Sequence, residues 1–132
     1  MRRTVTVVRV LLGLLFFATG LNGFLDVVPQ PPMPGAGGDF LSALASGHVM
    51  ALVKLVETIA GALLLAGRFV PLALVMLVPV VVGIVLYHLT FAPAEGAVGY
   101  APAALLVFLL WAYRAALLPL LRARVEPLAR TV

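Results

Sequence analysis

Apolar positions gather into four runs, at about residues 5–25, 47–67, 69–90 and 98–119, each long enough to cross a hydrocarbon core of about 30 Å as a helix. The stretches between them are short and rich in residues that stop helices. Residues 26–46 carry Pro29, Pro31, Pro32 and Pro34 and then Gly35, Gly37 and Gly38. Prolines block continuous helix and glycines loosen the chain, which predicts an outer loop with a short surface turn around Phe40 to Leu44. At Gly67-Arg68-Phe69-Val70-Pro71 a glycine stands where one helix should end and a proline where the next should begin, predicting a tight hairpin. Residues 92–99 hold Pro93, Glu95, Gly96 and Gly99, a third connection short enough to make its flanking helices antiparallel neighbours. The expected fold is an all-α membrane protein: one domain over 1–132, an antiparallel four-transmembrane-helix bundle with no evident internal repeat.

Composition sharpens this picture. Of 132 residues, 64% are apolar and 11% charged, against roughly 45–50% and 25% in soluble domains. Too little polar side chain remains to coat a water-soluble globule, which excludes a soluble enzyme or a nucleic-acid-binding domain. The net charge of +4 is better explained by topology, because Lys and Arg are retained on the cytoplasmic side. Arg2, Arg3, Arg9, Arg68, Arg114, Arg122, Arg124 and Arg130 fall on one side of the four spans. The opposite connections hold Asp26, Asp39 and Glu95 and no Lys or Arg, so both termini are expected to be cytoplasmic.

After Arg114, leucines mix with arginines, and residues 120–132 read as an amphipathic tail along the anionic inner surface, each nearby Arg contributing about 1 kcal/mol. Phe24, Tyr87, Phe91 and Tyr100 stand where outer interfacial anchors belong, and Trp111 and Tyr113 where inner ones do. A rival reading of the N-terminus is a cleaved signal peptide, imitated by Arg2-Arg3, the apolar stretch and the small residues Ala18 to Gly20. Arg9 interrupts the apolar region and argues against it.

The candidate chemistry begins with Lys54 and Glu57, about seven and ten residues in from the outer end of the second span. Two unpaired charges there cost about 5–7 kcal/mol on insertion scales, while Leu52, Val53, Leu55, Val56, Ile59, Leu63, Leu64 and Leu65 return about 4. Spacing i to i+3 puts the two on one helical face, beside a small strip of Ala51, Thr58, Gly61 and Ala62, so the pair should point into the bundle. Two readings fit: a structural pair that fixes helix packing, or a carboxylate that handles protons or polarises a ligand. His88 with Tyr87 ends the third span, Asn22 and Asp26 end the first, and His48 opens the second. Shared depth would let Asn22, Asp26, His48, Lys54, Glu57 and His88 line a polar pocket opening outward.

No H-x-x-x-H or E-x-x-H spacing fixes a metal-binding face. With no cysteine, the chain has no disulfide, thiolate site or thiol relay of its own. Gly13 and Gly20 share one face of the first span, and Pro79, Gly83 and Tyr87 one face of the third. Close packing accounts for the glycines and a kink for Pro79.

The order of features resembles the DoxX-like family of small bacterial membrane proteins. The match is carried by Arg9-Val-Leu-Leu-Gly-Leu-Leu-Phe-Phe-Ala-Thr-Gly-Leu-Asn22, by Lys54-Leu-Val-Glu57 followed by Gly61, by Gly67-Arg-Phe-Val-Pro-Leu-Ala-Leu74, by Tyr87-His88, and by Tyr113-Arg114. The resemblance implies a four-helix bundle in the bacterial cytoplasmic (inner) membrane. It also implies association with quinone-linked redox complexes, namesakes of the family being partners of thiosulfate:quinone oxidoreduction. Carried onto this chain, it points to Asn22, Lys54, Glu57 and His88, and it leads one to expect an asparagine near Gly83, which is absent. The bundle is also similar to membrane thiol oxidoreductases, whose chemistry a chain without cysteine does not perform alone.

The leading expectation is a quinone-associated redox subunit or a small-amphiphile binder. Glu57 and His88 would handle protons, and Asn22, Lys54, Glu57, Tyr87 and His88 would hold the ligand. Its cofactor would be a quinone, not covalently bound, and its partners the bilayer, a membrane or redox subunit, and a second copy of itself, with no nucleic acid and no metal. The alternative is a non-catalytic assembly or stabilising subunit. Transport of protons or small solutes ranks third, since one four-helix unit offers little room for two alternating gates.

Overall fold

The computed structural model describes residues 1–125, and all its regular structure there is helical. Six helices follow in order: α1 (Arg2–Leu25), α2 (Gly35–Ser46), α3 (Val49–Ala66), α4 (Val70–Phe91), α5 (Gly96–Ala112) and the single turn α6 (Arg114–Leu117). Short 3-10 turns cover Pro93–Glu95 and Leu118–Leu121. Four segments are long and apolar enough to cross a membrane: Arg2–Leu25, Val49–Ala66, Val70–Phe91 and Pro93–Ala112. Packing inside the protein buries only 22% to 28% of each apolar window. A large share of the apolar side chains, among them Leu11, Leu14, Leu52, Leu72, Val82 and Leu86, look outward.

The four long helices pack in a circuit. α1 touches α3 and α5, and α4 touches α3 and α5, while α2 rests on α3 and α4. The core lies inside that circuit, with Leu12 and Phe16 from α1, Ala60 and Leu64 from α3, Leu74 and Leu77 from α4, and Leu106 and Leu109 from α5.

The α1–α3 seam is the closest approach, and glycines create it. A methyl group at Gly61 would lie 2.8 Å from the Phe17 Cα and 2.9 Å from the Gly13 carbonyl oxygen, and one at Gly20 would lie 2.6 Å from the Thr58 backbone nitrogen. Such backbone-to-backbone proximity is how helices gain dispersion contact when lipid offers no hydrophobic drive between them. Arg9 ties the same two helices further along: its Nη1 donates to the Leu64 carbonyl at 2.7 Å, in the last turn of α3. There the helix dipole presents its negative end, and the Leu64 carbonyl takes the guanidinium beside the Gly67 N–H at 3.2 Å.

Between α3 and α4 the chain turns within three residues. Gly67 takes a left-handed conformation (φ 68°) that glycine adopts without steric cost, and the Arg68 N–H closes onto the Leu63 carbonyl. Pro71 falls in the first turn of α4, where its missing N–H deprives nothing.

Three expectations need correction. The stretch expected to be a loop with a turn at Phe40 to Leu44 holds a full helix, Gly35–Ser46. All its prolines precede position 35, and Phe40, Leu41 and Leu44 form an apolar stripe that docks once Gly37 lets α2 close onto Tyr87 and Phe91. The fourth span, expected at 98–119, lies over Pro93–Ala112. Gly96 and Gly99 belong to its first turns, where the rings of Tyr100 and His88 fill the space beside them, and regular helix stops at Tyr113 (φ −98°, ψ 12°). Gly83 is exposed with open space around it, so packing does not explain that glycine. Pro79 lies within α4 on an exposed position and does not end the helix. Of the tail expected at 120–132, residues 122–125 are exposed, while 126–132, Arg130 included, lie outside the described residues.

Candidate functional site

Glu57 is the one buried charged residue among those described, 3% exposed. It sits in mid-α3 on the face that meets α1. Lys54, one turn earlier, donates from Nζ to Glu57 Oε2 at 2.8 Å. The side chain of Lys54 is 23% exposed and that of Glu57 4%, so the pair is anchored at its acid end and open at its basic end. Lys54 reaches this position by lying across Gly23 of α1, where a methyl group would stand 2.5 Å from its Cδ.

Thr19 of α1 supplies a second contact to Oε2 at 3.3 Å. Its hydroxyl has a single proton and the Leu15 carbonyl, at 2.9 Å, is the nearer acceptor; the Glu57 contact is therefore the weaker of the two. Oε1 accepts no hydrogen bond from the described residues and keeps some accessible surface. The α3 strip around the pair divides. Thr58 and Gly61 face α1, with Thr58 Oγ1 donating to the Lys54 carbonyl at 2.7 Å, whereas Ala51 and Ala62 are exposed.

The remaining expected site residues occupy two other places. Asn22 is bound to the backbone of Val28 twice: its Nδ2 donates to the Val28 carbonyl and its Oδ1 accepts from the Val28 N–H, both at 2.8 Å. Together with Asp26, left-handed at φ 49° and exposed, it closes the exit of α1. Tyr87 and His88 lie at the end of α4. The Tyr87 hydroxyl donates to Met33 Sδ at 2.8 Å, and its ring packs among Phe40 of α2 and Phe91, with centroids 6.3 and 5.4 Å away. His88 Nδ1 lies 2.8 Å from the Ile84 carbonyl. A carbonyl only accepts, so Nδ1 is the donor in this contact. His48 starts α3, exposed and without a side-chain capping bond.

Lys54, Glu57 and Thr19 thus form one cluster, Met33, Phe40, Tyr87, His88 and Phe91 a second, and Asn22 with Val28 a third; no hydrogen bond or ion pair joins them among the described residues. Two shallow concavities lie elsewhere, one lined by Val75, Leu110, Arg114 and leucines of the segment after α5, the other by Arg2, Arg3, Thr6 and Val7. No three His, Asp or Glu side chains among the described residues converge on a metal-sized space. Sequence reasoning missed Thr19, which stands next to Gly20 at the edge of the face that the glycine spacing marks. It also missed Met33 and Phe40, whose placement depends on an unforeseen helix. The chain matches no protein-family model, no curated protein and no solved structure.

Proposed function

We propose that this chain is a multi-pass, DoxX-like protein of the bacterial inner membrane, acting as a non-catalytic assembly or stabilising subunit of a quinone-linked redox complex. The redox assignment rests on the sequence resemblance alone. The non-catalytic assignment rests on one observation: the polar side chains expected to hold a ligand have internal partners. Lys54 meets Glu57, Asn22 meets Val28, Tyr87 meets Met33 and His88 meets Ile84.

In this reading the four spans run antiparallel with both termini cytoplasmic. Supporting it, Gly13 pairs with Leu64 and Leu65, Gly20 with Thr58 and Gly23 with Lys54, positions that rise along α1 as they fall along α3. Arginines also gather at the ends where Asp26, Asp39 and Glu95 are missing. The buried pair then locks α1 to α3.

Glu57 Oε1 favours a second reading. A carboxylate oxygen that is close to buried and accepts no hydrogen bond from the described residues is suited to accept one from a quinol or a comparable amphiphile, with the proton handled at Glu57. Native mass spectrometry of the protein extracted in its own lipid patch separates the two. A co-extracted polypeptide, with lower recovery of that complex in Glu57→Gln and no small molecule to lose, supports the subunit role. A stoichiometric small molecule that disappears in Glu57→Gln replaces it with the ligand-binding role.

A further inference from the structure

The geometry points to a binding site for one anionic phospholipid in the crevice between α4, α5 and the turn that follows α5, with Arg114 holding its phosphate. The inference rests on the membrane reading but not on the role of Glu57. The crevice is lined by Val75 of α4, Leu110 of α5, and Leu117, Leu118 and Leu121 of the segment that folds back after Tyr113. Its volume, about 250 Å³, falls below the roughly 300–1,000 Å³ that encloses a drug-sized ligand. It suits one stretch of acyl chain whose remainder stays in the bilayer. Arg114 is its one charged lining residue, so a chain segment entering it would find an apolar floor and a single cation at the mouth.

Arg114 is held in place for that task. Its Nη1 donates to the Trp111 carbonyl at 2.8 Å and its guanidinium carbon lies 4.8 Å from the Trp111 ring centroid. A guanidinium has five N–H donors in a planar fork, and the ring and the carbonyl fix that plane while engaging one of them; the fork matches two phosphate oxygens. Charge complementarity favours an anionic headgroup over a zwitterionic one. Arg68, Arg122 and Arg124 flank the crevice in sequence, whereas Asp26 and Glu95 stand at the opposite ends of the long helices and Asp39 lies within α2. Leu118 and Leu121 remain 59% and 81% exposed, apolar surface that an acyl chain would cover. The bound lipid would pin the 3-10 turn at Leu118–Leu121 against α4.

Trp111 is the single tryptophan of the chain, so its fluorescence reports the site. The full chain is reconstituted in phosphatidylcholine vesicles in which either phosphatidylglycerol or phosphatidylcholine carries brominated acyl chains at the same low mole fraction. The expected result is quenching by brominated phosphatidylglycerol with about fivefold preference, the factor that one nearby arginine contributes. That preference should disappear in Arg114→Gln and in Val75→Phe, which fills the crevice without changing charge, and persist in Arg2→Gln. Equal quenching by the two lipids, or a preference that survives both Arg114→Gln and Val75→Phe, overturns the site. Quenching by neither lipid overturns the membrane reading itself.

Discussion

Arg9 and Leu64 stand 55 positions apart, and the guanidinium of the first is hydrogen-bonded at 2.7 Å to the carbonyl of the second. An arginine that interrupts an apolar run is thereby the cap of another helix. A charged hydrogen bond contributes about 1.5–3 kcal/mol, so Arg9→Leu, although more apolar, should lower the thermal midpoint of the detergent-purified protein, with Arg9→Lys in between. An unchanged midpoint in Arg9→Leu would mean that the contact adds nothing to stability.

Gly61 and Gly83 predict opposite outcomes for the same substitution. Gly61→Ala places a methyl group against the backbone of Phe17 and Gly13, where neither atom can rotate away; the expected loss is about 1–3 kcal/mol, the range for overpacked interiors. Gly83→Ala meets open space and gains helix propensity, up to about 1 kcal/mol. Thermal melts followed by circular dichroism should therefore order the proteins Gly83→Ala, wild type, Gly61→Ala.

The Lys54–Glu57 pair should behave as a coupled unit. Lys54→Met leaves a carboxylate close to buried and without its cation, and Glu57→Gln leaves an ammonium without its anion; each should lose about 1–3 kcal/mol. The double variant removes both charges and should lose less than the sum of the two, by about 1 kcal/mol or more. Strict additivity in the unfolding data would show that the ion pair does not fix packing.

Asn22 is a test of local closure. Asn22→Ala removes both hydrogen bonds to Val28, and the expected consequence is faster hydrogen exchange at the Val28 amide and faster proteolysis after α1. The mobility of Lys54 and Glu57 should stay as it was. Exchange at Val28 equal to wild type would deny the pairing.

The absence of cysteine makes orientation directly measurable. Ser42→Cys in α2 should react with a membrane-impermeant maleimide added outside intact cells, while Ala123→Cys should react only after permeabilisation. The reverse pattern would invert the proposed topology.

Apolar run length placed the first three of the four long apolar helices to within a few residues, because the signal is summed over about twenty positions. Gly67 and Pro71 likewise announced the α3–α4 turn, since each residue type has one favourable place there. The helix α2 was hidden by the prolines before it and by its own glycines, Gly35, Gly37 and Gly38, whose weak helix propensity is outweighed by packing, with Gly37 set against Tyr87 and Phe91 of α4. The fourth span was displaced because Gly96 and Gly99 signal a loop locally and a ring-packing surface in context.

At the site, i to i+3 spacing was enough to pair Lys54 with Glu57, as two residues on one helix need no tertiary knowledge. Thr19 required knowing which face of α1 meets α3. Asn22, Tyr87 and His88 share a region of the chain map but not an azimuth, and depth alone does not distinguish a common pocket from three separate clusters.

The glycine-lined seam also bears on how the chain is made. Synthesis delivers α1 before α3, and α3 is the span that arrives with an acid and a base in its interior. Its complementary surface, Thr19 with Gly13, Gly20 and Gly23, is finished by then and waiting. On the proposed membrane reading α1 would serve as a template for α3, with residues 26–48 as the tether between them until the Leu64 carbonyl emerges to meet Arg9. Deleting α1 would then do more than remove one helix, because it would leave α3 to partition alone.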